Sequence, residues 1–277
     1  MNWETTYAYI RHLSLDVVAG SICSGAMVVH LLQVDMPWVW WVSLPVGVWL
    51  IYTADHLLDA ERLGESAHTD RHRFHYKFSK RIKVLWLLIL GICLFIIPWY
   101  SPKELLVAGL FLVGLVGIHL LLVNLIGSKV SIFFQKELGV GVIYSLGVWL
   151  GPVVIHQQSP DAGLMIMSAQ FSFLAFINLI IFSHYDRKVD ELDGSSSLVR
   201  AISEKRLDQL IIGCSMFVSL ASFFQIVQGH SLKIQLVYLL MLGVLLATYF
   251  FPNLFEKNER FRSLGDGVFI FPILTLL

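Results

Sequence analysis

Eight stretches of this chain carry no Asp, Glu, Lys or Arg: 17–34, 36–54, 84–102, 105–128, 138–160, 162–185, 209–232 and 234–255. Each is 18 to 24 residues long. Roughly 20 apolar residues wound as an α-helix cross the hydrocarbon core of a bilayer. A backbone in lipid must also satisfy its own hydrogen bonds, which a helix does. The runs therefore predict an all-α integral membrane protein with eight transmembrane helices. A ninth run, 267–277, is shorter and reads as a short ninth helix, so eight to nine spans are expected in one transmembrane domain over 1–277. Composition fits this reading, with 56% hydrophobic and only 14% charged residues. Cys23, Cys93 and Cys214 all fall inside apolar runs and no C-x-x-C occurs, which argues against a disulfide framework or a zinc ribbon. The opening residues hold Glu4 and several aromatics and do not resemble a signal peptide.

Charge sets the orientation. With the N-terminus inside and the helices alternating, all of the 20 Lys and Arg fall on the inner side except Lys103 and Lys233. The positive-inside rule then places the N-terminus and the long loops after the second and sixth helices in the cytoplasm. The expected location is a bacterial inner membrane. The chain's zero formal charge at pH 7 carries no information about partners, and nucleic acid is not expected among them. Trp38, Trp40, Trp41, Trp99 and Tyr100 sit at outer helix ends and read as interfacial anchors. Gly139, Gly141, Gly147 and Gly151 in the fifth run read as a surface for close helix packing.

Four acids stand out at the inner ends. Asp55 and Asp59 form a D-x-x-x-D after the second run, and Asp186 and Asp190 form another after the sixth, at an offset of 131 residues. The i, i+4 spacing puts both carboxylates of a pair on one helical face. The common offset suggests two four-helix halves, about 13–126 and 136–252, followed by the short helix at about 265–277. Repeats related in this way place a site between the halves. Four converging carboxylates require cations, and an oxygen-only ligand set suits Mg²⁺ shared with substrate phosphates. Asp55, Asp59, Asp186 and Asp190 are thus the expected metal ligands and catalytic residues. Arg71, Arg73, Lys77, Lys136, Arg187 and Lys188 are candidates to bind a diphosphate. Tyr144, Tyr185, Phe171, Phe173 and Phe176 are candidates to line an apolar cavity, and Asp16 is a further acid near the inner face.

On these motifs the chain resembles the UbiA superfamily of intramembrane prenyltransferases, with two aspartate-rich motifs after helices 2 and 6 of nine. That family's first motif is N-x-x-x-D-x-x-x-D, whose aspartates correspond to Asp55 and Asp59; its second, D-x-x-x-D, corresponds to Asp186 and Asp190. The resemblance implies Mg²⁺-dependent transfer of a prenyl group from an isoprenoid diphosphate to an aromatic or other lipophilic acceptor. Two features depart from the pattern. Ile51 stands where the family has Asn, and H-T-D-R-H-R-F-H over 68–75 replaces the family's basic loop.

Two other readings compete. His56, His68, His72, His75 and His184 lie near the motifs and allow a histidine-rich membrane di-iron oxygenase. A transport or non-catalytic protein on the same fold is the other, supported by the apolar Ile51.

Overall fold

The computed structural model describes residues 3–126, 133–193 and 197–277. Residues 127–128 of the fourth run, and Lys129 in the inner-side charge set, lie outside the described residues. The order of elements is α1 (Trp3–His12), α2 (Leu15–Leu32), α3 (Trp38–Leu63), α4 (Asp70–Lys77), α5 (Ser79–Tyr100), α6 (Lys103–Ile126), α7 (Phe133–His156), α8 (Ala162–Leu192), α9 (Leu198–Ala201), α10 (Glu204–Val227), α11 (Leu232–Phe250), α12 (Pro252–Phe255) and α13 (Arg260–Gly267). A 3₁₀ segment, Val268–Leu276, ends the chain. No strand occurs among the described residues.

Seven helices (α2, α5, α6, α7, α8, α10 and α11) are long and apolar enough to cross a membrane. The expected second span is α3. Its 26 residues are ample in length, but it is not among these seven. The expected ninth helix is instead α13 turning into the 3₁₀ segment, which packs along α2 and α11.

Local chemistry sets the breaks. Ser14 adopts a left-handed conformation (φ 53°) and divides α1 from α2. Gln33 does the same at the end of α2 (φ 50°), and the Val34 amide donates back to the Val29 carbonyl. Asp161 caps α8 by accepting from the Leu164 amide at 2.7 Å, and Thr69 caps α4 by accepting from the His72 amide at 3.2 Å; such caps satisfy otherwise orphaned donors.

The helices continue past their apolar runs. α3 reaches Leu63 and α8 reaches Leu192, so both D-x-x-x-D motifs are helical. With 31 residues at about 1.5 Å each, α8 is roughly 45 Å long, well beyond the hydrocarbon thickness of about 30 Å. The expected long inner loop after α3 is largely the helix α4.

The core is a ring of α2, α7, α8, α11 and the C-terminal segment. Met27, Val28, Val148, Phe171, Phe176, Ile180, Tyr238, Met241 and Val268 are all at 1% exposure or less. Phe171 stacks on Tyr144 at 5.8 Å between ring centroids, and Phe269 meets both edge-on. Gly141 allows α7 and α8 to approach, since a Cβ there would lie 3.1 Å from the Phe176 backbone nitrogen. A Cβ at Gly151 would lie inside the Trp40 ring. Gly147 faces open space, so the expected glycine surface is discontinuous. Trp40 is buried rather than interfacial, because its indole fills the room that Gly25 and Gly151 leave. Trp38, Trp99 and Tyr100 are exposed. Outside the ring, α5 packs on α3 and α6 on α7, and these two peripheral helices make little contact with each other among the described residues.

Candidate functional site

One end of the bundle gathers the chemistry. α3 ends with Asp55 and Asp59, α7 begins with Lys136 and Glu137, and α8 ends with Asp186 and Asp190. The short helices α4 and α13 close the same end, α4 packing on α3 and α13 on α2, α8 and α11. α7 intervenes between the two aspartate helices, packing closely on α8 and touching α3.

Lys136 is the cation common to both motifs. Asp55, Asp59, Asp190 and its neighbour Glu137 all lie within electrostatic reach of its ammonium. Glu137 is buried and structural: its Oε1 accepts from the Ser183 hydroxyl at 3.0 Å and the Leu198 amide at 2.9 Å. It thereby ties α7 to α8 and to the start of α9, and holds Lys136 in register between the motifs.

Arg71 is a second shared cation. Asp55 of the first motif and Asp186 of the second lie within its reach, together with Asp266. Burial and the nearby Arg262 guanidinium lower the Arg71 pKa, and the three carboxylates oppose that shift.

The four aspartates differ in their closest partners. Asp59 pairs with Arg62 at 3.1 Å and lies 3.9 Å from His72 Nε2. Asp186 accepts from Arg262, which is only 8% exposed and spans to Glu259 at 3.8 Å. Asp55 and Asp190 make no ion pair within 4 Å among the described residues; Asp190 accepts a hydrogen bond from the Ser197 side chain, and both lie in the longer-range field of Lys136.

The remaining candidate cations lie elsewhere. Arg73 is exposed and bound to Asp70 at 2.6 Å on its own helix. Lys77 is exposed beside the Phe78 ring. Arg187 is 3.6 Å from Glu204, and Lys188 is exposed. Of the candidate lining aromatics, Phe171 and Phe176 are core residues, and Phe173 packs on Phe217 of α10. Tyr185 donates to the Thr248 carbonyl and stacks on Phe261 at 4.1 Å. Tyr144 remains closest in kind to the expectation, packed beneath the site against Phe269.

The histidines separate into two sets. His56, His72 and His75 cluster between α3 and α4, with the His56 and His75 rings 5.1 Å apart and the His56 and His72 rings 6.4 Å apart. His75 Nδ1 meets the Arg71 carbonyl at 2.9 Å and His56 Nε2 meets the Ser14 hydroxyl at 3.3 Å. This cluster anchors the helix that carries Arg71. His68 instead pairs with Asp193 at 2.5 Å, and His184 packs on Tyr249. Five histidines do not converge. Among the described residues no three His, Cys, Asp or Glu side chains are arranged to hold a metal ion.

Arg262 and Asp266 were not singled out in the sequence, although R-F-R-S-L-G-D-G places them at i, i+4 on α13. Together with Arg11, His12, Asp16, Thr69, Arg71 and Glu259 they line a small polar recess open to solvent.

No family model, curated protein or solved structure matches this chain. What the fold defines is a class: an all-helical protein with seven helices long and apolar enough to cross a membrane, and a charged site at one end of them.

Proposed function

We propose that this protein is a Mg²⁺-dependent intramembrane transferase of the UbiA kind, moving a prenyl group from an isoprenoid diphosphate to a lipophilic acceptor. The observation that carries the reading is the sharing of cations between the motifs: Lys136 lies in reach of Asp55, Asp59 and Asp190, and Arg71 in reach of Asp55 and Asp186. Two acid pairs 131 residues apart thus belong to one electrostatic unit. The finer architecture follows the same reading, with α3 as an eighth span, the α13 and 3₁₀ segment as a ninth, and both motifs at the cytoplasmic face of a bacterial inner membrane.

Mg²⁺ fits the donors present. All four acids are carboxylates, and Asp55 and Asp190 have no ion-pair partner of their own within 4 Å among the described residues. Mg²⁺ at phosphate-transfer sites keeps several waters and takes one or two protein carboxylates plus the substrate's phosphates, so a preformed cage of three protein ligands is not required. When bound, the ion would supply Lewis-acid stabilisation of the leaving diphosphate. In this reading Arg71 and Lys136 hold the diphosphate's remaining charge. The apolar ring beneath, from Tyr144 inward, keeps water from the allylic carbon.

The deciding experiment is release of diphosphate from a radiolabelled isoprenoid diphosphate by the purified full chain in lipid nanodiscs. Release should need Mg²⁺ and should be lost in Asp55→Asn and Asp190→Asn variants that still insert and fold. Mg²⁺-independent behaviour, or full activity in both variants, would sink the assignment. A second reading, a non-catalytic or transport protein on this fold, draws on the Asp59–Arg62 and Asp186–Arg262 pairs, which neutralise two of the four acids without a metal. Ile51 points the same way. The same assay separates the two.

A further inference from the structure

A second concentration of charge lies where α4 passes into α5. The Phe78 amide donates to the Phe74 carbonyl and the Ile82 amide to the Phe78 carbonyl, each at 3.0 Å. Helical spacing therefore runs through the joint, and residues three or four apart share a face across it. Lys77, Lys80 and Arg81 fall on one face by that spacing, and all three are exposed. None has a carboxylate within 4 Å among the described residues. Neighbouring cations do have partners: Arg73 binds Asp70 and Lys83 binds Glu61, so those two acids are occupied.

The same face turns apolar at Val84 and continues through Leu88 to Phe95, all exposed. From Val84 to Phe95 is roughly 16 Å at about 1.5 Å per residue. That is close to half of the ~30 Å hydrocarbon thickness, the depth of one leaflet. α5 is also the least buried of the seven long apolar helices, with 6% of its most apolar stretch inside the protein. Three cations without an acid thus stand at the head of an uncovered apolar stripe about one leaflet deep.

Basic helix ends are common on one side of a membrane, so the second half of the chain supplies the comparison. There α10 begins with Glu204, Lys205, Arg206 and Asp208, in which acids balance cations. Glu204 also lies 3.6 Å from Arg187, and 33% of the apolar stretch of α10 is buried. The uncompensated charge and the uncovered stripe occur together at the α4–α5 joint and not at the start of α10.

We propose that the α4–α5 joint is a docking site for an anionic phospholipid: Lys77, Lys80 and Arg81 hold its phosphodiester, and an acyl chain lies along Val84, Leu88 and Phe95. Charge complementarity selects the headgroup, since basic clusters at the end of a membrane helix attract anionic lipid. The stripe selects a lipid over a free phosphate ester, which has nothing to lay along it. A zwitterionic lipid offers the same chains but carries its own cation, which the patch repels. An acidic protein segment matches the charge and not the apolar stripe. The lipid steadies the end of α4, the helix that brings Arg71 within reach of Asp55 and Asp186. Its binding does not depend on the reaction proposed for those acids.

The test uses the purified full chain in detergent micelles with equimolar phosphatidylglycerol and phosphatidylcholine, and native mass spectrometry counts the lipids retained. The wild type should retain phosphatidylglycerol at least tenfold over phosphatidylcholine. Lys77→Gln, Lys80→Gln and Arg81→Gln should each lower that ratio by roughly three- to fivefold, the scale of one Lys or Arg near an anionic surface. The triple variant should bring it within twofold of unity. A Lys205→Gln, Arg206→Gln double variant at α10 should stay within twofold of the wild-type ratio. Glycerophosphoglycerol, the same headgroup without chains, should bind at least tenfold more weakly than the lipid. Absence of a preference in the wild type, or a wild-type ratio in the triple variant, overturns the proposal. An equal fall in the α10 variant also overturns it, by assigning the preference to basic charge in general. Headgroup binding as strong as that of the lipid overturns it in favour of a site for a free phosphate ester. If the triple variant aggregates on size exclusion, the single variants decide, and wild-type ratios in all three overturn the proposal.

Discussion

The two halves of this chain share a spacing but not a setting. α3 and α8 each end in D-x-x-x-D, and each is followed by a short helix and then two long ones. In the second half α10 and α11 pack on each other and on α8, and 61% of the apolar stretch of α8 is buried. In the first half the corresponding α5 and α6 stand apart at the periphery, and only 6% of α5 is buried. The acids diverge as well. In the first motif the second aspartate, Asp59, has its own arginine; in the second motif it is the first, Asp186. The acids left over, Asp55 and Asp190, have no such arginine and lie, with Asp59, in reach of Lys136. The second set of helices supplies most of the core beside α2, while α5 and α6 are the least buried of the long apolar helices.

The sharpest test of that division is packing. Phe171→Ala removes a ring with no exposed surface and should cost about 3–5 kcal/mol, as large-to-small changes in a core do. Phe95→Ala on α5, where the ring is 71% exposed, should leave the thermal midpoint in detergent nearly unchanged. Equal losses at both positions would mean that the α5–α6 hairpin docks more tightly than the contacts show.

Next come the acids. Asp55→Asn and Asp190→Asn should each reduce Mg²⁺-dependent turnover by about 10²–10³-fold, the usual scale for removing one group that stabilises transition-state charge. Asp59→Asn should fall short of that, since Arg62 already occupies one of its oxygens. Identical losses at all four positions would restore functional equivalence of the motifs. For Arg262→Gln the main expectation is that Asp186 loses its partner. The variant should then need a different Mg²⁺ concentration for half-maximal activity, by a few-fold, while Arg62→Gln, an exposed pair of the kind worth ~1 kcal/mol or less, should shift it less.

How much of this could be read from the chain follows a physical rule. Charge-free length located the membrane helices, because lipid excludes unpaired charge whatever the fold. It could not tell α5 from α8, since a lipid-facing helix is as apolar as a buried one, and here the two most apolar helices, α5 and α6, are the least buried. Polarity is the better sign of the interior: Gln170 on α8 donates to Gln235 and Ser222 with no exposure of its own. The paired aspartates were legible through their spacing. Arg262 and Asp266 were not, because a mixed-charge i, i+4 pair on an inner loop looks like any solvated turn until α13 folds back under α2 and α8. Arg73 and Lys77 failed to join the site for a related reason. The positive-inside rule puts cations on the inner side without saying which helical face they occupy, and α4 turns Arg71 inward and Arg73 outward.

The smallest expected effect concerns the hinge between α3 and α4, the element that brings Arg71 to the first motif. Burial, with Arg71 beside it, pushes the His72 pKa down to about 4, against the partial support of Asp59. The folded state therefore holds His72 neutral over a range in which the unfolded chain binds a proton. Between pH 6.5 and 4 the unfolded state carries more protons, so stability falls as pH falls through that window and is fully present above it. The loss attributable to this ring should be about 1–3 kcal/mol. It is read as the difference in thermal midpoint between pH 7.5 and pH 4.5 for the wild type and for His72→Gln. The glutamine keeps a polar side chain near Asp59 but has no proton to gain, so its midpoint should fall less over the same interval. The second half of the chain has no histidine in the corresponding short helix α9, so no ring there supplies a matching response. Parallel curves for the two proteins would move the acid sensitivity to the carboxylates and leave His72 a packing residue.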